Sequence, residues 1–309
     1  MVQSLLFALG AGLGSGLLFI LPVKGSVLGM WLSMLAPLPL MIVAMGFGAR
    51  FGLLTAMIAA AVCAFFQPAL ALAFLLSSAI PALILAAVTR RVFIVEDPLA
   101  PGTLLATICA IAIVAVFGMI GVASFTYGSF DVAARDITEL VKDALKGMKG
   151  FDEPSDIAEI VVSSIPAIMA FWSVLAMALN LFFAMKVVRI SGLFHGDLPD
   201  IPSSTVLPQA ALVAFALALF VCIAPGLPRL LGSVAAVAIG TAFMLQGLAS
   251  LHRITRDRPM RGGLLGLLYG LILILFPLPL FVLVGVGVAE QLRLLARPKL
   301  PPTNTNDQL

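Results

Sequence analysis

The stretch LFPLPLFVLVGVGVAEQLR, Leu275 to Arg293, decides how this chain is folded, because it lies inside an apolar run from about 263 to 295. A helix rises 1.5 Å per residue, so such a run would extend about 50 Å, well beyond the roughly 30 Å of hydrocarbon in a bilayer. Pro277 and Pro279 offer the way out. Each removes a backbone donor and disfavours helical geometry in the residue before it. The run therefore reads as two short helices, about 262–276 and 280–296, joined by a tight turn.

A second copy of the motif, LAPLPLMIVAMGFGAR from Leu35 to Arg50, reads differently. The apolar segment 26–48 is only long enough to cross once, so Pro37 and Pro39 there predict a kink. Freed backbone at membrane depth needs partners from neighbouring helices or a lined cavity, although prolines are also common in ordinary membrane helices. Each copy is followed by Gly-x-Gly (Gly46 and Gly48; Gly285 and Gly287), which fits either a repeated unit or coincidence in a chain with 27 glycines.

Composition extends the same reading to the whole chain. With 61% apolar and 11% charged residues, and a mean hydropathy of +1.16, it has too little polar surface to cover a water-soluble globule of 309 residues. The runs lack the strict alternation of a β-barrel, so the expectation is an all-α polytopic bundle of about 8–10 membrane helices. The expected spans lie near 3–21, 26–48, 51–66, 69–88, 102–125, 160–187, 206–224 and 230–251, followed by the final pair. The first span lacks the basic n-region of a cleaved signal and is expected to be retained. Residues 1–299 form one membrane domain in this reading, with 300–309 a disordered tail.

Arginine and lysine placement orients the spans. With the N-terminus inside, Arg50, Arg90, Arg91, Lys186, Arg189, Arg253, Arg256, Arg258, Arg261, Arg293, Arg297 and Lys299 fall on the cytoplasmic side, against Lys24 and Arg229 outside. One long final helix would strand the last three on the wrong side. Ten crossings with both termini cytoplasmic fit this bias.

One insertion, 128–159, is not membrane-like. Phe130, Ala133, Ile137, Leu140, Val141, Ala144, Leu145 and Met148 recur there at helical spacing among charged residues, and Gly147 and Gly150 supply a stop. An amphipathic helix on the outer surface is expected, either as a lid over a cavity or as a connector resting on the bundle or on lipid.

Candidate functional groups are few. Asn180, Gln246, Gln67 and Trp172 are the polar residues in or near spans that could hold a neutral solute, though helix-to-helix hydrogen bonding is the other use of such amides. Glu290 and Arg293 suit a local ion pair. Cys63, Cys109 and Cys222 lie within spans as small apolar residues, and His195 and His252 have no ligand-spaced companion, so no metal or other cofactor is expected. No phosphate-binding loop is present, and the spans lack convergent carboxylates and histidines, so neither an ATPase nor another enzyme is expected. The HRITRDRPMR loop, His252 to Arg261, fixes topology or is basic enough to touch anionic lipid headgroups, acidic partner surfaces or RNA, although the net charge of +3, without a Lys/Arg-rich run interleaved with aromatics, gives no expectation of a nucleic-acid partner.

The Gly-rich first helix, APLPLMIVAMGFGARFGLLTA leading into a basic turn, the outer insertion, and a last helix ending GVGVAEQLRLLARPK together resemble the YybS-like family of bacterial inner-membrane proteins. That family is in turn similar to the substrate-binding S components of energy-coupling factor transporters, although this chain has more spans than they do. The resemblance implies a bacterial cytoplasmic membrane protein, and through S components a small-solute-binding transport subunit that relies on separate coupling and ATPase subunits. In S components, small residues four apart on the first helix pack on the coupling subunit. The matching rows here are Ala8, Gly12 and Gly16, and Gly10 with Gly14. A cell-envelope scaffold and a membrane enzyme acting on a lipid-linked substrate are the alternative readings.

Overall fold

The computed structural model describes residues 1–94, 102–146, 154–193 and 200–296. The expected tail at 300–309, residues 147–153 of the insertion expected on the outer surface, and the terminal Arg297 and Lys299 lie outside the described residues. The described chain is helical without strands. Its helices are α1 (Val2–Ile20), α2 (Val27–Ser33), α3 (Pro37–Gly46), α4 (Ala49–Phe66), α5 (Pro68–Phe74), α6 (Ile80–Ile94), α7 (Gly102–Tyr127), α8 (Phe130–Lys146), α9 (Pro154–Ile190), α10 (Ile201–Ser204), α11 (Ala210–Val221), α12 (Leu227–Ile254), α13 (Arg261–Ile274) and α14 (Leu278–Leu295). Eight stretches are long and apolar enough to cross a membrane, and α11 and α13 are shorter apolar helices.

Helices dominate because in hydrocarbon every backbone N–H and C=O must find a partner within the protein. The bundle is assembled mainly by α1 on α4, α3 on α9, and α12 against α9, α11 and α14. Leu40, Met41, Phe74, Leu85, Val174 and Phe243 fill the centre, separated by alanines that let the helices approach.

The span α2–α3 is broken rather than merely bent. Pro37 has no N–H to give Ser33, so Ala36 N–H donates there at 3.0 Å, and Leu38 N–H donates to Leu35 O at 3.0 Å. The Met34 carbonyl loses its helical donor and takes Asn180 Nδ2 from α9 instead, at 2.7 Å. The segment Pro68–Arg91 carries a milder irregularity, a π-helical turn at Leu75–Ala79 between α5 and α6.

At the second Pro-Leu-Pro-Leu the chain ends α13, turns through a cis Phe276–Pro277 peptide and starts α14. The helix α14 crosses α12 at Gly247 and Gly287, where the two backbones touch. Arg253 of α12 pairs with Glu290 of α14 at 2.6 Å. Had α14 run opposite to α12 through that crossing, these residues would be roughly 15 Å apart along the axes, beyond side-chain reach. So α14 runs the same way as α12, and the chain reverses at the prolines. The charge expected to pair locally does so only loosely: Arg293 stands 3.7 Å from Glu290, whose closer partner is Arg253.

The amphipathic helix α8 packs on α7 and α9, with Ser129 Oγ accepting the Val132 N–H at its start. Among its apolar residues Ala133 is buried while Leu140 stays exposed.

The crossing of α12 and α14 sets a stability test. A Cβ at Gly247 would lie 2.1 Å from Leu283 O, and one at Gly287 would lie 2.0 Å from Phe243 O, both backbone atoms that cannot swing aside. Gly247→Ala or Gly287→Ala is expected to destabilise by about 1–3 kcal/mol or more. Gly266→Ala, with nothing within 4 Å, is expected to be neutral or stabilising. Thermal unfolding of the three variants in one detergent checks the contrast.

Candidate functional site

Between α10 and α11 the residues Thr205 to Pro208 are not helical, yet Leu207 is buried. Such backbone needs partners, and two glutamines supply them. Leu207 N–H donates to Gln246 Oε1 at 2.8 Å, Gln246 Nε2 donates to Gln291 Oε1 at 3.0 Å, and Gln291 Nε2 donates back to Leu207 O at 2.9 Å. The ring closes on itself, with Gln246 also near Gly287 O at 3.3 Å. Both glutamines are fully or almost fully buried. Together with α10 the Thr205 to Pro208 segment forms a strap, Asp200 to Pro208, and the α7 terminus abuts it: a Cβ at Gly102 would lie 1.8 Å from Val206 O, so glycine is required there.

The outer end of the strap is held by charge. Asp200 accepts from Arg256 Nη2 at 2.6 and 2.7 Å and also from Ser203 Oγ. Those contacts, the Arg256 hydrogen bond foremost, hold the Asp200 carboxyl below its ordinary value of 3.8. Arg253 Nη1 lies 3.4 Å from Pro202 O while its other nitrogen engages Glu290.

Beside the strap is a cavity of about 480 Å³, within the usual range for small-molecule sites. Leu105 and Ile108 of α7, Phe182 and Met185 of α9, and Leu245 and Ala249 of α12 line it. Its polar lining is confined to Thr205, His252 and Tyr269, next to Pro202. His252 Nδ1 is 3.0 Å from Leu248 O, to which it donates, and Nε2 lies 3.3 Å from the Tyr269 hydroxyl, as an acceptor in the neutral ring.

The four solute candidates are not brought together. Asn180 serves the broken α2–α3 span, donating to Met34 O and Ala176 O at 2.7 Å each, while its Oδ1 has no partner. Gln246 is spent on the strap. Trp172 stacks edge-on with Trp31 at 5.4 Å, and Gln67 is exposed at the junction of α4 and α5. None of the four lines the cavity. Of the first-helix rows, Gly12 and Gly16 face Ile58 and Val62 of α4, and Ala8 is buried, whereas Gly10 and Gly14 have nothing within 4 Å. No residue of α8 lines this cavity.

Sequence reasoning missed Gln291, Tyr269, Leu207 and Asp200. Gln291 did leave a signal: Leu283, Gly287 and Gln291 recur every four residues and form the buried stripe of α14. The pairing of the others depends on contacts between distant segments, which no local pattern reveals.

Two substitutions separate the inner and outer fastenings of the strap. Gln246→Leu leaves Leu207 N–H and Gln291 Oε1 without partners and is expected to cost about 1–3 kcal/mol in thermal unfolding. Asp200→Asn is expected to leave global stability nearly unchanged while speeding amide hydrogen exchange at 201–204. The Asp200 carboxyl is lowered on folding, so its latch is intact at neutral and mildly acidic pH and is lost only as pH falls through the depressed value. Wild-type exchange at 201–204, corrected for intrinsic pH dependence, should therefore be flat from pH 5 to 8.

No curated protein and no solved structure matches the chain. A family described as "Predicted membrane protein (DUF2232)" matches residues 15–289, most of the chain and nearly all of the bundle. With its broken spans, its strap and its apolar cavity, the chain belongs to this family of predicted membrane proteins, DUF2232.

Proposed function

We propose that the protein is a non-enzymatic membrane subunit of transport type, binding a small ligand in the cavity between α7, α9 and α12. The observation that carries this reading is the cavity of about 480 Å³ bordered by a non-helical stretch of backbone. Irregular backbone is tolerated at membrane depth where it is buried or lines a cavity, and discontinuous helices are the usual framework of transporter binding sites. The YybS-like and S-component resemblance supports the same class, with coupling and ATPase subunits as partners and the bacterial cytoplasmic membrane as location. The arginine bias supports cytoplasmic termini.

The amides are not the ligand-binding groups in this reading, since Gln246 and Asn180 are engaged with backbone. The scaffold alternative draws on α13, which has no buried residue, and on the outward Gly10 and Gly14. The lipid-linked enzyme is less favoured, because the cavity's polar lining of Thr205, His252 and Tyr269 includes no carboxylate.

Two measurements test the proposal. Single cysteines at Ser129 and Thr303, in a chain lacking the native three, are expected to label from outside and inside respectively; labelling of Thr303→Cys by an impermeant reagent on intact cells would reverse the topology. Mild-detergent purification with native mass spectrometry is expected to retain a small ligand that is lost in Ala178→Phe with Ala249→Leu, a pair that fills the cavity. A ligand-free protein, or retention unaffected by filling, overturns the binding-subunit reading.

A further inference from the structure

The cavity is polarised along its length. Its walls on α7, α9 and α12 are aliphatic or aromatic up to His252, the last α12 residue in the lining, which lies 3.3 Å from Tyr269 of α13; Thr205 of the strap is the remaining hydrogen-bonding side chain. The His252 end is also the basic end of α12. The loop from α12 to α13 follows immediately and carries Arg256, Asp257 and Arg258, with Arg261 opening α13.

These arginines are not equivalent. Arg253 is committed to Glu290 and Arg256 to Asp200. Arg258 and Arg261 have no side-chain partner among the described residues, and the loop's one acid, Asp257, forms no ion pair with either. Two guanidinium groups without a partner among the described residues thus follow His252 within nine positions of sequence, on the loop that joins the cavity's α12 wall to α13. An oxyanion is the complement to that arrangement, since arginine binds carboxylate and phosphate with charge-assisted, often bidentate hydrogen bonds.

Access to the cavity is lateral. The helix α13 buries none of its residues and meets the rest of the bundle chiefly at its turn with α14 and through the His252–Tyr269 contact. Tyr269 is itself 47% exposed while lining the cavity. The wall on that side is therefore a helix that does not seal against its neighbours. In a bilayer such a cavity opens toward lipid, and an apolar space open to hydrocarbon is filled by hydrocarbon rather than by water.

The proton arrangement at the polar end suits an arriving anion. In the neutral ring with Nδ1–H given to Leu248 O, His252 Nε2 accepts and the Tyr269 hydroxyl is the donor in their contact. At 3.3 Å that bond is long for a hydroxyl donor, and rotation about the C–O bond redirects the same proton to an oxyanion.

We propose that the cavity holds a slender anionic amphiphile, drawn sideways from the adjoining leaflet, with its chain between α7, α9 and α12 and its oxyanion head among Tyr269, Arg258 and Arg261. This rests on the binding-subunit reading and narrows its ligand to a class. The common chemistry is a carboxylate or a phosphate on a single apolar chain, and the source is either a free fatty acid or a phosphorylated lipid.

The full chain in phosphatidylcholine nanodiscs, offered diazirine-bearing palmitic acid, the corresponding long-chain alcohol and its monophosphate, tests this. Adducts are expected on Leu105, Phe182 and Leu245, with one or both anionic probes favoured over the alcohol by about tenfold, the size expected of a charge-assisted contact. Preference for the acid assigns the fatty-acid source, and preference for the monophosphate the phosphorylated lipid. Tyr269→Phe combined with Arg258→Gln and Arg261→Gln, all at exposed or half-buried positions, is expected to abolish the preference and leave alcohol labelling unchanged. Equal labelling by all three probes overturns the proposal and makes the cavity a niche for bulk lipid. Absence of cavity adducts with a water-soluble ligand retained in native mass spectrometry overturns the amphiphile while the binding-subunit reading stands, and absence of both overturns the two together.

Discussion

The arrangement at the basic end of this bundle depends on one closed ring of amides. Leu207 presents a backbone donor and a backbone acceptor in a place where no helix can satisfy them, and Gln246 and Gln291 answer both while satisfying each other. An isolated buried amide costs free energy of the order of a lost hydrogen bond or more, so the ring is stable only as a complete set. Its geometry fixes three otherwise separate things: the depth of the strap, the register of α14 on α12, and the floor of the cavity that Pro202 and Thr205 help to form.

The same rule operates at the first Pro-Leu-Pro-Leu, with different parts. There the orphan is a single carbonyl, Met34 O, and a single asparagine from α9 is enough. The two polar side chains that lie deepest in apolar sequence, Asn180 and Gln246, are thereby accounted for as partners of broken backbone. Glycine complements them: at Gly102, Gly247 and Gly287 the absence of a Cβ lets backbone approach backbone, which brings the amide ring within bonding distance.

Much of this fold was legible in the sequence. Membrane spans follow from hydropathy, which is local and additive, and the turn at Pro277 and Pro279 follows from comparing a run's length with the bilayer. The deeper break at Pro37 was readable as a kink, but its partner was not, because nothing in MALNLFF says which carbonyl Asn180 will meet. The site was less legible for the same reason. Gln246 stood out as a polar residue in an apolar run, whereas Gln291 follows Glu290 near a helix end and looked like part of a charged terminus. Tyr269 gave no signal, since an isolated tyrosine in a membrane helix is ordinarily an interfacial anchor. The cavity itself is a property of how α7, α9, α12 and α13 are spaced, and spacing is set by packing across segments far apart in the chain.

The amide ring also imposes an order on biogenesis. The strap leaves the ribosome some forty residues ahead of Gln246 and more than eighty ahead of Gln291, because the ring's members are separated by 39 and 84 positions. Until α14 has been released and inserted, the Leu207 carbonyl has no protein donor and the strap cannot settle among the helices. Completion of this end of the molecule is thus deferred to the last helix, and a nascent chain stalled before it would expose unsatisfied polar backbone to the quality-control machinery of the membrane.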